Sequence, residues 1–327
     1  MLDEKNTPLV SIALCIYNGE RFLREQLDSL VNQTYSNIEI VAVDDRSTDY
    51  SISILNEYAN KHPFLRVIQN EQNLGYTKNF EKAIKLCNGE YIALCDQDDI
   101  WDLNKIELQQ KTIQDNLLVY HDSKFIDENG NDMNKKMSDV LELYSGANPE
   151  IFLLSNCVSG HACFFKRELV SEILPFNPDH FHDHWIAYVA TNLGSIYCIP
   201  QCLVSYRQHT TASTDILNTR TKRDKSYHEN RDVAKYKREL EWLKQCRSYG
   251  KNKDQDFVNR FTTLFEKRID SFLSIEYALT MRKHYDFLFS NQKLRKGTKT
   301  GFIYRQIWGL RAKTFWAELT GKKSKSM

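Results

Sequence analysis

No apolar run in the sequence approaches the about 18 residues that a membrane-crossing helix needs. The first residues, Met1 to Asn6, carry acid where a secretory leader needs a basic segment, and no apolar stretch follows. A cytoplasmic protein is therefore expected. Charge of one sign is missing too. The 44 Lys and Arg stand against 43 Asp and Glu, a formal net of +1, so global charge offers no argument for a nucleic-acid partner and none is expected. No two of the eight cysteines have C-x-x-C spacing, which excludes the usual zinc knuckle and dithiol redox centre. Most lie in apolar runs, as Cys95 does, and read as buried reduced thiols. Internal repeats and low-complexity linkers are absent as well. The segment Tyr17 to Glu20 is not the Gly-rich phosphate loop that a nucleotidyltransferase usually carries near its N-terminus.

What the sequence does have is alternation. Short apolar runs at Leu9–Ile16, Ile38–Val43, Leu65–Ile68 and Tyr91–Cys95 are separated by amphipathic segments, the pattern of β-α-β units on a mostly parallel sheet. Phe80, Ala83, Ile84 and Cys87 fall at i, i+3, i+4 and i+7, one helical face. Beyond residue 115 the pattern predicts a strand at Val119–Ile126 and another at about 158–165. Short helices are expected near 150–154 and 167–174. A helix from Asp183, ended by Gly194, is followed by separate strands at Ile196–Ile199 and Leu203–Tyr206. From about 215 the composition turns helical and charge-rich, with a second stretch at 254–290 that includes Phe257, Phe261 and Phe272. Two domains follow: 1–215 as the catalytic unit and 216–327 as a helical C-terminal region.

Two predicted strands end in acid: Asp44-Asp45, and Asp96-Gln97-Asp98-Asp99. Ligands of open parallel sheets bind outside the carboxyl ends of the strands. Carboxylates crowded there repel one another unless a cation lies among them, and Mg²⁺ or Mn²⁺ commonly joins carboxylates to a diphosphate. In an extended Asp-x-Asp the two side chains point the same way. A single such motif is more simply a turn or a helix cap; two at successive strand ends favour the metal.

The runs Val10 to Gly19, Val43 to Asp49, Asn73 to Gly75 with Asn79, and Asn88 to Trp101 resemble the family 2 glycosyltransferases of the GT-A fold. Gly160 before Ala162 to Phe165, His182 to Trp185, and Tyr206 to His209 continue the match in order, over about residues 8–210. Asp96 to Trp101 is similar to a rhamnosyltransferase-like bacterial branch. The resemblance implies a Rossmann-like sheet with flanking helices and an inverting transfer from a nucleotide-diphosphate sugar. It gives Tyr17, Asn18 and Glu20 to the nucleotide, with Asp45 accepting from a uracil or thymine imide. Asp96 and Gln97 would lie near the donor, and Lys78 near its phosphates. Asp98, with Asp96 and His209, would hold the Mg²⁺ or Mn²⁺. Asp183 would be the base that takes the acceptor proton, a position also suited to a helix cap. Gly160, His161, His184 and Trp185 would face the acceptor. Cys15 and His182 depart from the residues common in relatives, and no Gln-x-x-Arg-Trp follows Asp183, against a processive synthase.

Between Lys293 and Lys325 ten basic residues face Glu318 alone, interleaved with Phe302, Tyr304, Trp308, Phe315 and Trp316. This suits an anionic membrane surface, and so a lipid-linked glycan acceptor; a packing or homodimer-forming tail is the alternative. The alternatives are a nucleotidyltransferase, which also pairs aspartates with Mg²⁺ around a nucleotide, and a non-catalytic nucleotide-sugar-binding module.

Overall fold

A computed structural model describes residues 7–210, 216–217, 231–289, 299–312 and 315. The chain forms two compact units, Met1–Ala147 with Asn156–Asp215, and Asn148–Ser155 with Ile216–Met327. The short segment at 148–155 thus belongs with the later helices rather than with its neighbours in sequence.

In the first unit, strand β1 (Val10–Ile16) is buried at every residue and apolar except at Ser11, as a strand covered on both faces must be. It lies between β2 (Ile38–Asp44) and β4 (Tyr91–Cys95), parallel to both, with β3 (Leu65–Gln69) parallel beyond β2. Helices α1 (Glu20–Val31), α2 (Ser51–Lys61) and α3 (Tyr76–Leu86) make the connections. The chain lays β2 and β3 on one side of β1, then crosses to lay β4 on the other. A crevice opens at such a reversal. Ile16 pairs with Asp44 and Leu14 with Cys95, so Tyr17, Asp45 and Asp96 leave neighbouring strands at one edge.

The rest of the sheet is mixed. It comprises β5 (Ile100–Trp101), β6 (Leu118–Ile126), β7 (Asp132–Lys136), β8 (Phe164–Lys166) and β9 (Ile196–Arg207). The order is β3-β2-β1-β4-β8-β6-β9-β5, with β7 on β6. Strand β8 runs antiparallel to β4 and β6, while β6 and β9 are parallel. Helices α4 (Lys105–Ile113) and α7 (His182–Leu193) pack here, with the short α5 (Met137–Val140) and α6 (Val170–Ile173) between them.

Three expectations change. The strand foreseen at 158–165 shrinks to Phe164–Lys166, because Gly160–Ala162 winds into a 3₁₀ turn. The two strands foreseen after Ile196 are one. Pro200 sits where the register against β6 slips, His121 facing Ile199 and Asp122 facing Cys202, and a bulge tolerates its missing N–H. Gly194 does end α7, but with an extended φ rather than a left-handed one, and a Cβ there would meet the Leu117 side chain at 2.9 Å.

The second unit contains α8 (Arg231–Ser248), α9 (Gln255–Lys267), α10 (Ile275–Lys283), α11 (Tyr285–Leu288) and α12 (Lys299–Gln306), with a 3₁₀ turn at Pro149–Phe152. Asp254 caps α9 by accepting from Phe257 N at 2.8 Å. Its stripe of Phe257, Phe261, Leu264 and Phe265 is buried, with Phe265 stacked on Tyr236 and Phe257 on His284. Phe272, foreseen on this helical face, lies beyond α9 and is exposed. Among the described residues no helix is long and apolar enough to cross a membrane. All eight cysteines are free, six of them buried.

Candidate active site

The loop after β1 is held by its neighbours rather than by its own conformation. Gln97 grips Tyr17 at both ends of its amide: Tyr17 N donates to Oε1 at 2.7 Å, and Nε2 donates to Tyr17 O at 3.1 Å. Gly19 lies so close that a Cβ would come within 2.5 Å of Gln97 Oε1. Asn18 N donates to Ser47 Oγ, and Asn18 Oδ1 accepts from Thr48 N. The Glu20 carboxylate accepts from Tyr50 N at 2.8 Å and so ties α1 to the 47–51 loop. The Tyr17 ring is about half exposed and available for stacking.

Asp45 is buried and organises the next loop. Its Oδ1 accepts from Asn70 Nδ2 and Leu74 N, and its Oδ2 from Gly75 N. Gly75, at φ +80°, opens α3 in a conformation that favours glycine. Three of roughly four acceptor positions on the carboxylate are filled, leaving one on Oδ2. Lys78, foreseen near phosphate, instead gives its ammonium to Glu81 and to the Phe176 carbonyl, at 2.8 and 2.9 Å.

At the end of β4 the acids divide. Asp98 Oδ2 lies 2.8 Å from His209 Nε2, so the two foreseen metal ligands do converge. Asp96 is half-buried, and burial, then the charges of Asp98 and Asp183, push its carboxyl up to about 7. Asp99 is fully buried; Oδ1 accepts from Arg207 N at 2.9 Å, and Oδ2 has no hydrogen-bond partner. Asp96, Asp99 and His161 also bring ligand atoms within 4.8 Å of one another. Asp99 and His161 are sealed from solvent, however, and a divalent ion serving a diphosphate needs open positions for phosphate and water. The donor set that fits such an ion is Asp98 with His209, beside Asp96.

Two cations that the sequence reading passed over sit behind these acids. Arg207 is 1% exposed. Its Nε donates to the Asp98 carbonyl at 2.8 Å, a terminal nitrogen to Glu25 at 2.5 Å, and its plane lies over Phe22. Lys105 is wholly buried, its ammonium over the Trp101 ring and bonded to the His161 carbonyl at 2.6 Å. Burial draws its pKa down to about 7, against the pull of Cys95 and Asp99. The signals were a charged residue at the end of an apolar strand and a lysine four residues after a tryptophan.

Asp183, at the first turn of α7, is fixed by three donors: Gly160 N at 2.9 Å, Asn156 Nδ2 at 3.1 Å and His184 N at 2.6 Å. Burial raises its carboxyl to about 7 despite them. Gly160 therefore holds the Asp183 carboxylate directly. Of the residues expected beside the acceptor, His161 is buried with Nε2 on Ser123 Oγ, and Trp185 is buried with Nε1 on the Ile173 carbonyl. His184 is half-buried next to Asp183. His182 is an aromatic filler, stacked on Phe80 at 4.4 Å, and burial pulls its imidazole down to about 4.

A Rossmann-like sheet whose reversal point gathers paired aspartates, a histidine and a separate half-buried carboxylate defines a GT-A type sugar-nucleotide site. The chain belongs to glycosyl transferase family 2, whose profile matches residues 11–174. A Haemophilus influenzae uncharacterized glycosyltransferase is 28% identical over 249 residues, covering 72% of this chain and 74% of its own length. One from Methanocaldococcus jannaschii, also 28% identical, covers 69% and 79%. Among solved structures, S. aureus TarS in complex with UDP-GlcNAc is similar at a TM-score of 0.56 and 17% identity, over 86% of this chain and 74% of that one. The Pyrobaculum calidifontis mannosyltransferase PcManGT, in complex with GDP-Man and Mn2+, gives 0.50 and 16%, over 97% and 81%. Identities this low speak for the fold.

Proposed function

We propose that the chain is an inverting glycosyltransferase moving one sugar, a hexose or rhamnose, from a UDP- or dTDP-sugar to a hydroxyl of a lipid-linked glycan. The observation that carries this is Asp183: a half-buried carboxylate, aligned by the Gly160 amide and Asn156, close enough to Asp96 for their charges to interact. A base so placed can take a proton from an acceptor hydroxyl as that oxygen attacks the anomeric carbon. The new C–O bond forms on one face while the bond to the diphosphate breaks on the other, and the leaving group keeps the electron pair. Held by Asp98, His209 and Asp96, a Mg²⁺ or Mn²⁺ would neutralise charge on the departing diphosphate. The Tyr17 ring stacks on the base, and the remaining acceptor position of Asp45 suits the imide N–H of uracil or thymine.

The solved relatives with UDP-GlcNAc and with GDP-Man and Mn2+ support a nucleotide sugar and a divalent ion as ligands. A lipid-linked acceptor would place the work at the inner face of the cytoplasmic membrane. The test is a thermal-shift panel of UDP-, dTDP- and GDP-sugars with and without Mn²⁺, followed by nucleotide release on adding acceptor. A metal-dependent shift with UDP- or dTDP-sugars and release with acceptor are expected. Binding without release under any acceptor would leave only a sugar-nucleotide-binding module.

A further inference from the structure

Among the large apolar side chains that the helical unit exposes are Phe272, Leu273, Ile275, Leu279, Trp308 and Phe315, 43% to 59% exposed. They are not scattered. Leu273 and Trp308 face each other across a short antiparallel bridge, closed by Ser274 N to Ile307 O at 2.6 Å and Gly309 N to Phe272 O at 3.0 Å. The approach is so tight that a Cβ on Gly309 would lie 1.8 Å from Ser271 O, so only glycine permits it. Phe315 meets Phe272 edge-on at 5.9 Å, and the Arg311 guanidinium lies 5.2 Å from the Phe272 ring centre. Ile275 and Leu279 stand one turn apart on α10, on one face.

Soluble monomers rarely expose contiguous apolar patches of more than a few hundred Å². Here the patch is built, because the backbone clip fixes it and the glycine is spent on the clip. Its charge names the occupant. Arg311 is exposed at the Phe272 ring and Arg305 is exposed on α12; from Lys293 onward the sequence has ten basic residues against one acid, most of them outside the described residues. Glu276, next to Ile275 in sequence, is already paired with Arg260 at 2.9 Å, and Asp270 is exposed close by in sequence. Aromatic and aliphatic groups flanked by guanidinium suit acyl chains below and lipid phosphates above.

We propose that this clip is a docking surface for an anionic lipid bilayer. It deepens the lipid-linked-acceptor reading and rests on that reading for its purpose. The experiment is co-sedimentation of the full chain with phosphatidylcholine vesicles, with and without about a quarter phosphatidylglycerol, across a salt series. Binding is expected only with the anionic lipid and weakens with salt. The double variant Leu273→Ser/Trp308→Ser is expected to lower partitioning about tenfold or more, and Arg311→Gln to flatten the salt dependence. Unchanged melting and unchanged transfer to a detergent-soluble acceptor show that both variants fold. Failure of the wild-type chain to bind, or equal binding by the double variant, overturns the proposal. So does a dimer in sedimentation velocity that the variant dissolves without any lipid binding, since a second copy would then cover the patch. Vesicle binding with no transfer to any acceptor would sink the transferase reading and leave the docking surface standing.

Discussion

Asp183 and Arg207 show how single residues divide the work at this site. Asp183 is held by the Gly160 amide, Asn156 and its own turn, so its carboxylate keeps its direction when its charge changes. Asp183→Asn keeps the shape and the donor site, yet removes the base. Donor binding by calorimetry should be unchanged while turnover falls by about 10²–10⁴. With burial lifting its carboxyl to about 7, activity should decline as pH falls through that value, because the protonated form cannot accept a proton. Turnover by Asp183→Asn near the wild-type rate would remove the assignment. Arg207 acts one step back: its guanidinium holds the Asp98 carbonyl while its backbone N–H holds Asp99. Residues that orient metal ligands commonly contribute 10–100-fold to metal affinity, so Arg207→Met should raise the half-activating Mn²⁺ concentration by about that factor. Arg207→Lys, keeping charge but losing the fork, should recover only part of it. A Mn²⁺ titration of both variants checks this.

At the scale of elements, the loop after β1 is the part most open to a sharp test. Gln97 bonds both backbone groups of Tyr17, and Gly19 leaves it room. Gly19→Ala should force the amide away and weaken donor binding by about tenfold, an ordinary overpacking cost. In a Gln97→Ala background the same change should cost little. Additive losses in that double-mutant cycle would show that the two residues are not coupled. These elements also show what the sequence could and could not disclose. Strands β1, β2 and β4 were legible because both faces are covered, giving apolar runs that stop at Asp44 and Asp96. The turn at Gly160 was not, because a 3₁₀ turn whose amide serves a distant carboxylate carries no period. Strand β9 read as two because Pro200 interrupts the pattern, although the bulge absorbs it. Arg207, Lys105 and His161 were misjudged or passed over because charged and polar types read as surface. Their burial depends on partners brought from residues far away in sequence, such as Asp99 for Arg207 and Ser123 for His161.

For the molecule as a whole, the clustered acids are a stability problem that a cation should relieve. Asp96 and Asp183 each titrate near 7 in the fold, against about 3.9 in an unfolded chain. Between those values the native state binds more protons than the unfolded state, so metal-free stability should fall as pH rises from about 4 to 7. Asp99, also pushed up by burial and by Asp98 and Asp96, acts in the same direction. A divalent ion at Asp98, Asp96 and His209 favours the ionised carboxylates and binds only the folded chain. Melting curves in EDTA should therefore decline across that pH range, and Mn²⁺ should restore the loss most strongly at its upper end. Asp98→Asn should abolish the Mn²⁺ increment while leaving most of the pH slope in EDTA, since Asp96 and Asp183 owe their shifts first to burial. An increment that survives Asp98→Asn would place the ion elsewhere, with the buried Asp99 and His161 as the next ligands to test.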